Sequence, residues 1–174
     1  MRVLGVDLGD PGGLALIDMD ARGRVWHIRA RELGPKDQGF AMQQLLHQLC
    51  QEQQPELVAT ERPFTGRWDP RPKVGLAQRE KQGLVKAVCE SLSIRFVDFQ
   101  PQTIKKAVCG NGHAPKSQVA RAVTGITGFV HPSEHVMDAV AIALLAARRA
   151  RSESVLKSQQ KLGLRRPRRK VAIR

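Results

Sequence analysis

Four residues at three places in this chain could together handle a phosphodiester. Asp7 ends the apolar run RVLGVD, Glu61 ends ELVATE, and Asp138 interrupts the apolar stretch HVMDAVAIAL three residues after His135. If the first two runs are neighbouring parallel strands, both carboxylates stand at one edge of a sheet, and that carboxyl edge is where open α/β sheets build their sites. His135 and Asp138 are spaced to share one helix face. Three carboxylates and an imidazole are ligands for divalent cations, and a pair of such ions clamps the attacking and leaving oxygens of a phosphodiester. Taken singly, each residue has a plainer reading. Asp7 precedes a Gly-rich turn, Glu61 suits a solvated strand end, Asp138 suits the positive end of a helix dipole, and His135 suits a structural histidine.

The elements that must place these groups follow from periodicity. Val3–Val6 reads as a strand, Gly9 to Gly13 as a turn, Leu14–Ile17 as a second strand, and Arg24–Ala30 as a third after the turn at Gly23. Short strands joined by tight turns make an antiparallel meander. From Phe40 to Gln53, Met42, Leu45, Leu46 and Leu49 fall at helical spacing. Strands are expected at Glu56–Thr60 and Ile94–Phe99. Helices are expected at Leu76–Leu92, Pro101–Cys109, Lys116–Val123 and Glu134 to about Ala150, the last with Ser133 as N-cap. Strands separated by helices cross over and run parallel. The fold class is therefore α/β, a mixed five-stranded sheet with helices on both faces. The apolar positions Val85, Val88 and Leu92 suit either the core or an interface.

Charge divides the 174 residues. Between Arg148 and Arg174 there are eleven Lys or Arg against the single Glu153, so that segment holds ten of the chain's +13 net charges. Residues 1–150 are expected to form the domain and residues 151–174 a basic, flexible tail of the kind that meets nucleic acid or an anionic surface. The loop from Arg62 to Lys73 sets Arg62, Arg67, Arg71 and Lys73 against Asp69, with Phe64 and Trp68 among them. Basic groups with aromatics suit phosphate contact plus stacking on unpaired bases. The longest apolar run, Ala139–Ala147, is nine residues, too short to span a bilayer. Cys50, Cys89 and Cys109 form no CxxC pair, which argues against a disulfide framework or structural zinc. A reducing, cytoplasmic setting is expected.

These motifs resemble those of the RuvC-type Holliday-junction resolvases, within the RNase H-like superfamily, over about residues 1–150. VLGVDLG resembles the family's opening strand with its catalytic Asp, at Asp7. VATERPF places Glu61 at the second acid and Phe64 where the family carries an aromatic that stacks on junction bases. QTIKKAVCGNGHAPKSQV, residues 102–119, aligns without gaps, with Lys105 and Lys116 at basic positions implicated in catalysis or backbone binding. HVMDAVAIAL places Asp138 at the last acid and His135 at a position held by Asp or His. The turn LGDPGG is shorter than the family's usual form, and the loop containing GRWDPRPK is longer.

The resemblance implies an RNase H-like endonuclease that cuts four-way junctions symmetrically, as a homodimer, with Mg2+ or Mn2+, two ions per site. Asp7 would bridge the ions, Glu61 would hold one, and Asp138 with His135 would complete the other. Lys116 would meet charge on the phosphate. Phe64, Arg67, Trp68, Arg71, Lys73, Lys105 and Lys116 would contact DNA. An imidazole ligand is better tolerated by manganese than by magnesium, so manganese should serve at least as well. A branch-migration helicase is a partner that family members often have. Two other readings use the same residues: a relaxed nuclease for branched DNA or RNA–DNA hybrids, and a basic nucleic-acid-binding protein without catalysis.

Overall fold

The computed structural model describes residues 1–63 and 72–161. Five strands, β1 (Arg2–Asp7), β2 (Gly12–Met19), β3 (Val25–Leu33), β4 (Leu57–Glu61) and β5 (Arg95–Phe99), form one sheet in the order β3-β2-β1-β4-β5. β1–β2 and β2–β3 are antiparallel, while β1–β4 and β4–β5 are parallel. The helices are α1 (Phe40–Gln53), α2 (Pro72–Ser91), α3 (Pro101–Cys109), α4 (Lys116–Thr127) and α5 (Glu134–Lys161). The mixed sheet expected from the sequence is the sheet observed.

Strand alternation sends side chains to two cores. Leu4, Val6, Leu14 and Leu16 pack with Met42 and Leu46 of α1 and Val85 and Val88 of α2. Val3, Ala15, Ile17 and Ala59 pack on the other face with Ile104, Val119 and Val123 and the apolar stretch of α5. Val85 and Val88 are thereby core residues, which resolves the alternative left by the sequence. The stretch Val136–Ala147 is buried at every position except Asp138. That explains why it is apolar around its whole circumference: a helix enclosed on all sides has no polar face.

Two glycines let α5 lie this close. A Cβ on Gly5 of β1 would stand 2.2 Å from the carbonyl oxygen of Ala139, and one on Gly13 of β2 would stand 2.3 Å from that of His135. Both are far inside van der Waals contact with backbone, which cannot swing aside. The two glycines therefore set the height of α5 above the sheet at its first and second turns.

Element ends depart from the sequence reading where local signals are weak. β2 and β3 extend further than Leu14–Ile17 and Arg24–Ala30 because each gains ladder partners along the meander, through Gly12↔Leu33 at one end. α2 begins four residues earlier than Leu76. α4 runs on to Thr127, where Gly128 in the left-handed region closes it. α5 continues past the expected end at about Ala150 to Lys161. The segment holds Arg151, Lys157, Gln159 and Gln160, good helix formers, and Gly163 is the first breaker in the sequence. Arg95 and Glu153 pair across 2.7 Å, and Arg151 Nε donates to the Ala21 carbonyl at 3.1 Å, tying its first turns to the sheet.

Replacing Gly5 by Ala should force α5 from the sheet. Overpacking of this kind costs about 1–3 kcal/mol or more, at about 2–4 °C per kcal/mol for a domain of this size. Thermal unfolding should therefore show a Tm lower by several degrees. An unchanged Tm would mean that the helix does not rest on this contact.

Candidate active site

The ladder decides where the acids lie. Val6 is paired with Thr60 in the parallel β1–β4 register, so the next residues, Asp7 and Glu61, leave adjacent strands at the same edge. α5 runs over these strands with its N-terminal turns at that edge, because Gly13 admits the His135 carbonyl against β2. His135 Nδ1 lies 2.9 Å from Asp7 Oδ2. An ionised carboxylate only accepts, so the imidazole donates from Nδ1, and its neutral form presents the Nε2 lone pair. Gly9 N–H donates to the other Asp7 oxygen at 3.2 Å, fixing the carboxylate from the turn side. Ser133 is placed as the expected cap, with the Val136 N–H 3.5 Å from its hydroxyl and the Met137 N–H donating to its carbonyl at 3.2 Å.

Asp138 lies one turn further along α5. The Lys116 ammonium, at the start of α4, stands 3.8 Å from Asp138 and 3.4 Å from Glu134. Glu134 is a neighbour that the sequence reading did not assign. The signal for it was slight: an acid in the first turn of a helix is ordinary.

Glu61 and Asp138 are shifted by burial and by neighbouring charge. Burial first, and then the charges of Asp7 and Asp138, together raise the Glu61 carboxyl to about 7 against the opposing pull of Lys105 and Lys116. Burial first, with the charges of Asp7 and Glu134, brings the Asp138 carboxyl to about 6 against the opposing pull of Lys116 and His135. A cluster of carboxylates held in partial burial despite this repulsion is the electrostatic profile of a functional site.

Among the described residues, no group of three or more His, Cys, Asp or Glu side chains is already arranged around a common metal-binding point. The side chains stand instead as the Asp7–His135 pair and as Asp138 beside Lys116. The donor set fits a divalent cation nonetheless. Its carboxylate oxygens suit Mg2+ or Mn2+, its imidazole suits Mn2+ better, and a cation favours the charged forms that burial and the charge of Asp7 oppose at Glu61 and Asp138.

The structure brings together Asp7, Glu61, His135, Asp138 and Lys116, with Lys105 of α3 close enough to act on Glu61. Lys73 is exposed in the first turn of α2. Phe64, Arg67, Trp68 and Arg71 lie outside the described residues. No described helix is long and apolar enough to cross a membrane.

With this geometry in place, comparison is informative. The sequence model of the family described as crossover junction endodeoxyribonuclease RuvC matches residues 3–146. The chain belongs to this family. It is 36% identical over 129 residues to the crossover junction endodeoxyribonuclease RuvC of Stenotrophomonas maltophilia, covering 70% of this chain and 73% of that protein. It is 31% identical over 164 residues to that of Thermus thermophilus, covering 87% and 96%. In structure, Thermus thermophilus RuvC in complex with a Holliday junction substrate superposes with a TM-score of 0.71 at 27% identity, covering 88% of this chain and 97% of that one. The yeast mitochondrial Holliday junction resolvase shares the fold, with a TM-score of 0.60 at 17% identity, over 92% of this chain and 82% of that one. The RuvC match spans all four motifs from which the resemblance was read.

The raised carboxyls make a stability prediction for RuvC-family acids in this chain. Folded Glu61 and Asp138 hold their protons more tightly than unfolded ones. The folded state therefore binds more protons between the ordinary carboxylate range and about 6–7, and stability falls as pH rises through that window. In chelator at pH 8, Glu61→Gln should raise Tm by several degrees, at about 1.4 kcal/mol per unit of displacement. At pH 4 the two proteins should melt together. Adding Mn2+ at pH 8 should stabilise the wild type more than the variant. A Glu61→Gln protein that melts lower at pH 8 would show that the carboxylate is not held at a cost.

Proposed function

We propose that this chain is a structure-selective endonuclease that resolves four-way DNA junctions by paired, symmetric hydrolysis of phosphodiesters. The observation that carries the proposal is the convergence of Asp7, Glu61 and Asp138 from two strands and a helix at one sheet edge, where burial and the charge of Asp7 raise the Glu61 and Asp138 carboxyls. Membership of the RuvC family supports the choice of substrate, as does the likeness to the Thermus protein described with a junction.

Asp7, Glu61, Asp138 and His135 would hold two ions of Mg2+ or Mn2+. When bound, such ions activate the attacking water and neutralise charge on the departing 3′ oxygen, leaving a 5′ phosphate. The chain's own residues do the positioning. Gly9 N–H and His135 Nδ1–H fix the two oxygens of Asp7. Lys116, half-exposed beside Asp138, can exchange its carboxylate partners for the scissile phosphate and meet the charge that develops there. Lys105 faces the same edge. Phe64 would stack on unpaired bases, and Arg67, Trp68, Arg71 and Lys73 would extend the contact along the loop into α2.

A junction is close to two-fold symmetric, so two symmetric cuts call for two sites and hence a homodimer. With Val85 and Val88 in the core, the apolar groups that α2 leaves exposed are Val74 and Leu76. The basic C-terminal segment would act as a separate unit adding sequence-independent affinity. Residues 162–174 carry six Lys or Arg and no acid. A branch-migration helicase would supply junctions to such an enzyme.

Labelled four-way junction, linear duplex, flap and RNA–DNA hybrid, each with Mg2+, Mn2+ or chelator, should separate the readings. The junction should be nicked symmetrically in either ion, with manganese at least as effective, and Asp7→Asn should abolish cutting. Equal cutting of flaps or hybrids would move the substrate to a relaxed RNase H-like nuclease. Junction binding with no metal-dependent cutting would favour a non-catalytic binder. Deleting residues 162–174 should flatten the dependence of log K on log salt by up to about five, at about 0.9 per phosphate contact. An unchanged slope would take that segment off the DNA.

A further inference from the structure

The mechanism leaves two polar side chains of α2 without a role. Lys81 Nζ donates to the carbonyl of Gly9 at 3.0 Å. Gln82 is buried, and its Nε2 donates to Thr60 Oγ1 at 3.0 Å and to Asp98 Oδ2 at 3.4 Å. We propose that Lys81 and Gln82 are positioning residues that hold Asp7 and Glu61 in their working orientations, an inference that rests on the assignment of those two acids to the active site.

Each link is short. Gly9, whose carbonyl Lys81 binds, is the residue whose N–H holds Asp7 Oδ1. Lys81 therefore pins the turn residue that orients the first acid. Gln82 acts on both sides of the second. Thr60 precedes Glu61, and Arg62 follows it. Arg62 Nε donates to Asp98 Oδ1 at 2.9 Å while Gln82 takes Asp98 Oδ2. The Arg62 N–H also closes on the Phe99 carbonyl at 2.8 Å. Glu61 thus sits between two residues clamped to the same Gln82–Asp98 pair.

Adjacent helix positions point about 100° apart. One turn of α2 can therefore reach the β1–β2 turn with Lys81 and the ends of β4 and β5 with Gln82. Packing alone does not call for these side chains. Gln82 lies three and seven residues before Val85 and Cys89, both buried in the apolar stripe of α2. An aliphatic side chain would fill that place without a buried amide to satisfy. Lys81 is only partly buried, so its ammonium could be solvated at little cost, yet it binds a backbone carbonyl.

The test compares full-length wild type with Lys81→Met, Lys81→Arg and Gln82→Met. It reads single-turnover junction cleavage in Mn2+, junction Kd in chelator, and the Mn2+ concentration needed for half-maximal thermal stabilisation. Misplacement of reacting groups by about 1 Å costs on the order of a hundredfold in rate. Lys81→Met and Gln82→Met should each slow cleavage about 10- to 100-fold and raise the Mn2+ midpoint, with Kd and Tm little changed. Lys81→Arg should recover most of the rate.

Full activity in both Met variants overturns the proposal. So does a rate loss matched by weaker junction binding, which would make Lys81 a DNA contact, or one matched by a fall in Tm, which would make the pair merely structural. Asp7→Asn and Glu61→Gln run alongside. If they still cut, the site assignment itself fails; if they are inert while the Met variants cut normally, only the positioning role falls.

Discussion

Everything at the sheet edge depends on how close α5 lies to β1 and β2. Gly5 and Gly13 leave no room for a side chain between strand backbone and helix backbone, and this contact sets the depth at which the first turns of α5 sit. Two of the four polar site residues, His135 and Asp138, ride on those turns. The other acids are fixed by the parallel β1–β4 register. The distance between the two sets is thus a property of backbone packing, made rigid by a close-packed interior that does not deform continuously. The apolar belt from Ala139 to Ala147 is the other half of the same constraint. It lets the helix be enclosed by the sheet, α3 and α4, so that it cannot slide.

That rigidity is needed because the site opposes its own formation. Burial disfavours the charged forms of Glu61 and Asp138, and the nearby charge of Asp7 disfavours them further. The opposing contacts are few: Lys116 between Glu134 and Asp138, Lys105 acting on Glu61, and the hydrogen bonds to Asp7 from Gly9 and His135. None offsets the burial of Glu61 and the charges of Asp7 and Asp138 beside it, so its carboxyl stays near 7. A fold that keeps such a cluster must hold it from outside, through elements whose stability comes from two separate hydrophobic cores, one on each face of the sheet.

Much of this could be read from the chain because the signals were local or repeated. An acid at the end of an apolar strand is visible in RVLGVD and ELVATE, period-3.6 spacing marks α1, and Pro101 and Gly110 bound α3 at its observed ends. Other features were hidden for physical reasons. The end of α5 was misjudged because its apolar pattern stops near Arg148, whereas the helix continues on backbone propensity and on the Arg95–Glu153 and Arg151–Ala21 contacts. Such partners are invisible until the sheet is assembled. Glu134 and Lys81 look like ordinary charges on helix surfaces, and only the fold shows what they meet. Gln82 did leave a trace, as a polar residue inside the buried stripe of α2, but a sequence does not say whether such a residue faces solvent or a strand.

The same reasoning explains how three distant segments come to act as one site. Asp7 and Glu61 are brought together by strand pairing across more than fifty residues, and α5 joins them from the far end of the chain. α2 is the piece between. Its inner stripe belongs to the core shared with α1, its Lys81 donates to the β1–β2 turn at Gly9, and its Gln82 donates to Thr60 near the end of β4. A shift of α2 along its axis would act on the β1–β2 turn and the β4 end at once, because one helical turn is bonded to both. The loop expected to bind DNA and the strands that carry the acids are thus joined through a single helix. In that arrangement, the position of α2 and the geometry at the acids are parts of the same mechanical unit.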